Sequence, residues 1–589
     1  MTPTPTLTPN SISHTLSRRE WIAIVGLLLL AFTLRTVDLT RVPPGLHNDE
    51  VIETKIAETV AAGRLAIFFP EDTGSEGLHY YFAALFINVF GNTVYALRLP
   101  AILLSLISAC LIWALARRLF GPIVALAALA GFTIAFWTVA VGRIISHVSV
   151  EVPVAALAAY CFWRAWSSRG RRALALWALS GAWLGLSIYA YTAARILPAI
   201  FVAFGVYVAL ARRAEWRRWR RGIAITLAVA VIVALPLVLY LTHNPAADDL
   251  DFFEIDRPLT ELQKGDLAPV IETTLNTLGM FAFVGDPLPY YDVPGRPIFE
   301  PIGALLLATG LLIALRRWRR PEYAFAVLWL FLSLVPGMLS QPAPNYTRTI
   351  GVQVVLFAFP GIAIAAVFAR WLPIVTPAPL SQAGASTQKE VQAIGAWRNL
   401  LLYSGLALLF AGNLLWTARD YFTVWPSIDA VRFWHHAGLK AVADRLQADP
   451  DNSPVAICLP DELIDERKPW WKPGWQHMRY LLHRPDLDLR YFNCVDAMIF
   501  IDGPARYAIP DAAAVDALDA FPIYTQFLKA AQPALDVFPD RLGVIVRADV
   551  SAALDRYLAG APAESPVAYA PEAGGGSAQL PIDFAGRVE

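Results

Sequence analysis

The chain has 589 residues, 48 Lys plus Arg against 48 Asp plus Glu, and 56% hydrophobic residues, with a mean hydropathy of +0.48. Only 16% of residues are charged, which excludes an ordinary soluble domain and predicts a polytopic α-helical membrane protein. No basic and aromatic surface pattern points to nucleic acid, so that class of partner is excluded as well.

Apolar runs near 20–39, 94–116, 121–141, 147–166, 172–190, 195–211, 222–241, 300–315, 322–340, 350–370 and 399–416 predict about eleven helices, most of them long enough to cross a hydrocarbon core. Alternate junctions are rich in Arg: Arg18 and Arg19; Arg117 and Arg118; Arg164, Arg169, Arg171 and Arg172; the series from Arg212 to Arg221; and Arg316 to Arg320. The positive-inside rule makes these junctions cytoplasmic, with the N-terminus inside and the C-terminal region outside the cell membrane. The run 78–90 is too short to span. Counting it as a span reverses every later Arg cluster, so it is expected as an interfacial or re-entrant helix on the outer face. The first run follows a polar tail, lacks a small-residue cleavage site and is read as an uncleaved helix.

In chain order this gives a cytoplasmic tail over 1–19 and a transmembrane region over 20–417. That region carries external loops over 40–93 and 242–298 and a Pro, Ala, Ser and Gln linker over 372–397 on the cytoplasmic side. In the first loop the sequence His47, Asn48, Asp49, Glu50 precedes Val51, Ile52, Lys55, Ile56, Thr59 and Val60 at helical spacing, with Gly63 as a plausible cap. The second loop, with Asp286, Tyr290 and Tyr291, is too long for a passive connection. An external α/β domain is expected over 418–560, with a helix at 437–446 and strands at 455–459, 498–502 and 543–546. A flexible tail follows over 561–589. Cys458 and Cys494 lie in the compartment that permits disulfides, while Cys110 and Cys161 fall inside spans. Trp470, Trp471 and Trp475, with Lys472, read either as a packing cluster or as a carbohydrate or lipid contact.

Ionisable groups at a bilayer boundary usually line a cavity or a site. Asp49 and Glu50 are the leading candidates for general acid and base work. The plainer reading is two carboxylates in the first turn of a helix, where its dipole favours them. Adjacent residues do not share a helix face, so two separate roles are expected rather than a dyad. Arg143, His147, Arg195 and Arg348 fall at outer ends of spans, and Arg binds phosphate through paired donors. Each alone reads equally as a helix-end anchor; together they point to a cavity holding a phosphate near a base. Glu76 and His79 flank the short helix at 78–90. No Walker loop, Cys and His metal framework or nucleophile elbow is present in the sequence, so no cofactor is required and a divalent metal has no clear support.

The order of first helix, external Asp and Glu, amphipathic helix and short interfacial helix leads to a span ending in Ala116, Arg117, Arg118, Leu119, Phe120, Gly121. With Tyr95 to Pro100 and Tyr346 to Gly351, this resembles the GT-C glycosyltransferases. The similarity is greatest to the branch of protein O-mannosyltransferases and aminoarabinose transferases, which act on phospholipid carriers. The resemblance covers about 20–420. It implies an inverting transfer of a sugar from a polyprenyl-phosphate donor to an acceptor at the outer face. Asp49 would be the general base, with Arg143, Arg195 and Arg348 stabilising the departing lipid phosphate. Glu50 and Glu76 would orient substrate, with His47, His79 and His147 in the binding set. Family members often carry Pro where this chain has Gly77. A lipid-linked glycan polymerase or ligase and a polyprenyl-lipid transporter or flippase are the competing readings. The absence of internal repeats tells against the transporter.

Overall fold

The computed structural model describes residues 16–71, 74–244, 257–371, 385–459, 474–492, 499, 501–510, 534–539 and 542–551. The chain divides into two compact units, 1–435 and 436–589.

The first unit is helical. Each of the eleven expected apolar runs falls on helix, and among the described residues seven helices have both the length and the hydropathy to cross a membrane. The first helix, Arg18–Thr36, starts at Ser17, whose hydroxyl accepts the Glu20 N–H at 3.1 Å. The run expected at 121–141 is two helices, Pro122–Ile134 and Phe136–Val141, because Ala135 adopts an extended conformation between them. The short run is the helix Leu78–Phe90, which buries His79, Tyr80, Ala83 and Ala84 and exposes Leu85, Val89 and Phe90.

Helices Val148–Trp166, Gly170–Ser187 and Arg213–His243 form a closely packed set. A Cβ on Gly181 or Gly185 would collide with the Thr226 or Ala230 carbonyl, so these glycines bring two helix backbones together.

Two boundaries differ from the sequence reading. The last helix, Ala385–Arg419, begins inside the expected linker, where Gln388, Lys389, Glu390 and Ala393 are good helix formers. Residues 372–384 lie outside the described set. The first unit also continues beyond 418, through a π turn at Asp420–Val424 and a short helix at Asp429–Trp434. Tyr421, Trp425 and Val431 are buried in the core of the helical unit, which is why the division falls after His435 rather than at 418.

The helical unit also holds two short antiparallel strands, β1 (Phe68–Phe69) and β2 (Ser75–Glu76). The second unit is an α/β domain. Its five strands are β3 (Val455–Cys458), β4 (Leu489–Phe492), β5 (Pro504–Ile509), β6 (Ala534–Val537) and β7 (Val544–Asp549), ordered β4-β3-β5-β7-β6. The first three are parallel and the last two antiparallel to their neighbours. The helix expected at 437–446 is Ala437–Ala448. The strand expected at 498–502 begins instead at Pro504, after Gly503 at φ +80°. Asp449 and Asp451 pair with Arg506 and Arg547, tying the turn before β3 to β5 and β7. Cys458 is disulfide-bonded and Cys110 and Cys161 are free. Cys494, Trp470, Trp471, Lys472 and the tail 561–589 lie outside the described residues; Trp475 is exposed on helix Gly474–Leu481.

Candidate active site

The expected helix after the acidic pair is Asn48–Ala61. His47 is its N-cap, and a capping box closes its first turn: the Asp49 N–H donates to His47 Nδ1 at 3.2 Å and the His47 N–H to Glu50 Oε2 at 3.1 Å. At the far end Gly63, at φ +100°, donates to Val60 O while the Arg64 N–H reaches Thr59 O, a Schellman closure that needs the left-handed residue the sequence supplies.

Arg98 fixes this helix in place. Its guanidinium donates to Glu50 Oε1 at 2.9 Å and Oε2 at 3.0 Å, and to the carbonyls of Leu39 at 2.8 Å and Gly45 at 2.5 Å. Arg98 and Glu50 are both fully buried. Arg143 is fully buried too, donating to Leu34 O and Val37 O at 2.7 Å and to Val42 O at 2.8 Å, and it stands over the Tyr421 and Phe422 rings. These contacts hold the exit of the first helix. The structure therefore leaves neither Glu50 nor Arg143 open to a substrate, although the sequence placed one in the catalytic pair and the other among the phosphate ligands.

Asp49 is different. Its side chain is 51% exposed, whereas Glu50 is 0%, Glu53 2% and Glu76 1% exposed. The Asp49 carboxylate lies 3.5 Å from His47 Nδ1. A neutral His47 accepts the Asp49 N–H there, and a protonated one donates to the carboxylate. Partial loss of hydration to the groups packed around it pushes the Asp49 carboxyl up, but the His47 charge and hydrogen bond, with His147 behind them, outweigh it and hold Asp49 below the usual carboxylate range. For the same pair, burial opposes the His47 charge, yet Asp49 and Glu50 keep His47 above the ordinary imidazole value.

Glu53, one helical turn after Asp49 and so on the same face, is the residue the sequence reading missed. Its carboxylate accepts the His147 N–H at 3.0 Å and the His147 ring, and it lies 3.2 Å from His79 Nε2. The two histidines divide. Burial takes His79 down to about 4 despite Glu53, so it is a neutral ring. His147 is half-buried, and Glu53 with Glu76 and Asp49 overcomes its burial and raises it to about 9. The i, i+4 spacing from Asp49 is the signal that would have found Glu53.

Glu76, on the two-residue strand Ser75–Glu76, is held by Arg195 at 2.9 Å and by the Thr192 hydroxyl at 3.1 Å. Arg348 donates to the Gln341 carbonyl and has no carboxylate at ion-pair distance among the described residues. Burial lowers its pKa, with Tyr191 and Asp286 nearby opposing the fall. Tyr191 links the two sides: its ring lies 5.1 Å from the His147 ring and its hydroxyl 3.5 Å from Thr347 Oγ1. The second long loop closes over the pair. The Tyr290 ring lies 4.7 Å from the His47 ring, tilted by 51°, His435 lies 5.7 Å from it, and Trp425 Nε1 donates to Pro289 O at 2.9 Å. Asp286 anchors the same loop by accepting the Tyr346 N–H at 2.8 Å, and its burial carries it up to about 6. Among the described residues no group of three His, Cys, Asp or Glu is placed to hold a metal ion.

A family model described as dolichyl-phosphate-mannose-protein mannosyltransferase matches residues 78–240. No curated protein matches the chain. Among solved structures, ArnT from Cupriavidus metallidurans bound to undecaprenyl phosphate is 15% identical, with 91% of this chain and 99% of that one covered and a TM-score of 0.48. The oligosaccharyltransferase AglB from Archaeoglobus fulgidus, in complex with an inhibitory peptide and a dolichol-phosphate, is 13% identical, with 91% and 74% covered and a TM-score of 0.49. The Pmt1-Pmt2 protein O-mannosyltransferase complex of S. cerevisiae, bound to the sugar donor, is 16% identical over 41% of this chain and 35% of that one, with a TM-score of 0.33. All are GT-C glycosyltransferases, the class of membrane enzyme that the sequence resembles.

Removing the Arg98 charge while Glu50 stays buried is expected to cost about 3–5 kcal/mol. Arg98→Met should therefore unfold at a clearly lower temperature in detergent, and the double variant Arg98→Met, Glu50→Gln should recover part of the loss.

Proposed function

We propose that the protein transfers a sugar, with inversion, from a polyprenyl-phosphate donor to an acceptor hydroxyl or amine at the extracytoplasmic face, and that Asp49 is the general base. The observation that carries this reading is the exposure of Asp49. Of the carboxylates gathered around it, Asp49 alone is open, while Glu50, Glu53 and Glu76 are buried and held by Arg98, His147 and Arg195. The family match over 78–240 supports the reaction class.

In this mechanism the acceptor O–H or N–H gives its proton to the Asp49 carboxylate as the acceptor atom attacks the anomeric carbon. The bond from that carbon to the phosphate oxygen breaks, and its electron pair leaves with the lipid phosphate. Arg348, which has no carboxylate at ion-pair distance among the described residues, receives that charge in this reading, with the His147 imidazolium on the other side of Tyr191. Glu53 acts through His147, holding it charged. Arg195 is committed to Glu76 and stands behind the site rather than in it.

Asp49→Asn is expected to lower transfer by roughly 10²–10⁴-fold without lowering the unfolding temperature. Release of lipid phosphate from polyprenyl-phosphate sugars by the purified protein reads this directly, and a fully active variant rules out the base.

His47→Asn keeps an N-cap but removes the cation beside Asp49. The Asp49 pKa then rises, so the base is protonated at higher pH and the acidic limb of the kcat/KM profile moves upward. An unchanged limb would detach His47 from the base.

The facing of the site is tested with Ala62→Cys, an exposed position at the end of helix Asn48–Ala61. A membrane-impermeant maleimide should label it from outside intact cells. Labelling only after the cytoplasmic side is opened reverses the topology.

A further inference from the structure

A cavity of 1110 Å³ runs between the helices Pro122–Ile134, Pro301–Arg316, Ala358–Trp371 and Ala385–Arg419, away from Asp49. Its walls are apolar, with Ala127, Ala130, Phe357 and Phe410 among them. The gap exists because the last helix barely packs: 6% of its apolar window is buried, against 83% for Val148–Trp166. In a bilayer such a space is filled by hydrocarbon, since an empty one forfeits the dispersion contacts of its whole lining.

The two ends of the cavity differ in charge. At one end Arg296 is neutralised by Asp420 at 3.0 Å and sandwiched between the Phe136 and Trp416 rings, at 4.7 Å and 3.9 Å. Arg296 is thus a paired cation at that end. At the other end lie Arg19, Arg117 and Glu20, and Arg117 engages the Glu20 carboxylate at 2.7 Å. Arg19 is exposed and has no carboxylate partner among the described residues. This mouth therefore carries a net positive charge beside the open end of an apolar groove.

We propose that the groove is a second lipid site, holding an anionic phospholipid with its phosphate at Arg19 and an acyl chain running toward Arg296. The lining helix Pro122–Ile134 is roughly 20 Å long at 1.5 Å per residue, enough to cover the roughly 15 Å depth of one leaflet. The helix Arg18–Thr36 separates Arg19 from the Asp49 end of the unit by roughly 28 Å. A lipid whose phosphate sits at Arg19 is thus not the donor whose phosphate reacts beside Asp49. The site goes beyond the proposed transfer and does not depend on it. Its occupant braces the last helix, whose continuation places Tyr421 under Arg143 and Trp425 against Pro289.

The full chain, purified from nanodiscs of mixed phosphatidylglycerol and phosphatidylcholine, is examined by native mass spectrometry. A retained phosphatidylglycerol, preferred over phosphatidylcholine, is expected. Ala130→Trp, which fills the groove, should abolish retention. Arg19→Gln, at an exposed position that leaves the fold intact, should cut the preference about fivefold, the effect of one cation near an anionic lipid. Equal retention by wild type and Ala130→Trp, or an unchanged preference in Arg19→Gln, overturns the site. Retention of a polyprenyl phosphate in the groove in place of phosphatidylglycerol overturns it too, by making the groove the donor's. Lipid-phosphate release measured on the same preparations reads the chemistry at Asp49 separately, so loss of the bound phospholipid and loss of transfer are distinguished.

Discussion

The buried pairing of Arg98 with Glu50 is the constraint on which the site rests. Two charges taken out of water are tolerated only where geometry is good and remaining donors are satisfied. Here both carboxylate oxygens are engaged, and the spare guanidinium donors meet the carbonyls of Leu39 and Gly45. The bond joins the helix Val94–Phe120 to the first turn of helix Asn48–Ala61 and fixes the path of the chain leading into that turn. With Glu50 turned inward, the neighbouring residue on the helix must turn outward, and so Asp49 faces the open space. Arg35 and Arg143 repeat the device nearby. Arg35 donates to Ser105 and to the carbonyls of Ala31, Phe132, Thr133 and Thr138, stitching together the ends of the helices beneath the site.

Around this frame the charges are paired locally. His47 stands with Asp49, His147 with Glu53, Arg195 with Glu76, and Arg98 with Glu50. Arg348 has no carboxylate at ion-pair distance among the described residues, and Asp286 is the acidic group nearby. The paired histidines behave differently although both touch Glu53. Burial opposes the charge on both, but His147 bonds Glu53 and has Glu76 and Asp49 beside it, whereas His79 also meets the charge of His147.

Much of the fold was legible in the sequence, because hydropathy and Arg distribution are local signals. The helix after Asp49, its Gly63 closure and the short amphipathic helix at 78–90 all followed from spacing and cap chemistry. The division between the two units was misplaced by eighteen residues' worth of chain, from 418 to 436, because Tyr421 and Trp425 owe their burial to helices far away in sequence. The site was legible in its residue types and less so in its partition. The sequence could say that Asp49 and Glu50 have separate roles, since adjacent residues diverge on a helix. It could not say that Arg143 would be consumed by backbone carbonyls or that Tyr290 and His435 would enclose His47. Glu53 is legible from helical spacing alone, one turn after Asp49 on the same face.

The roof over His47 has a consequence for how the protein is made. Tyr290, Trp425 and His435 arrive long after the helix they cover, from the middle and the end of the first unit. A nascent chain that has inserted only its first six or seven helices holds Asp49 on a formed helix, with Arg98 in place, and no enclosure above it. The aromatic cover of His47 is therefore complete only once Arg296 has met Asp420 and the last helix has docked. The order of synthesis thus delays that cover until nearly the whole helical unit has been made.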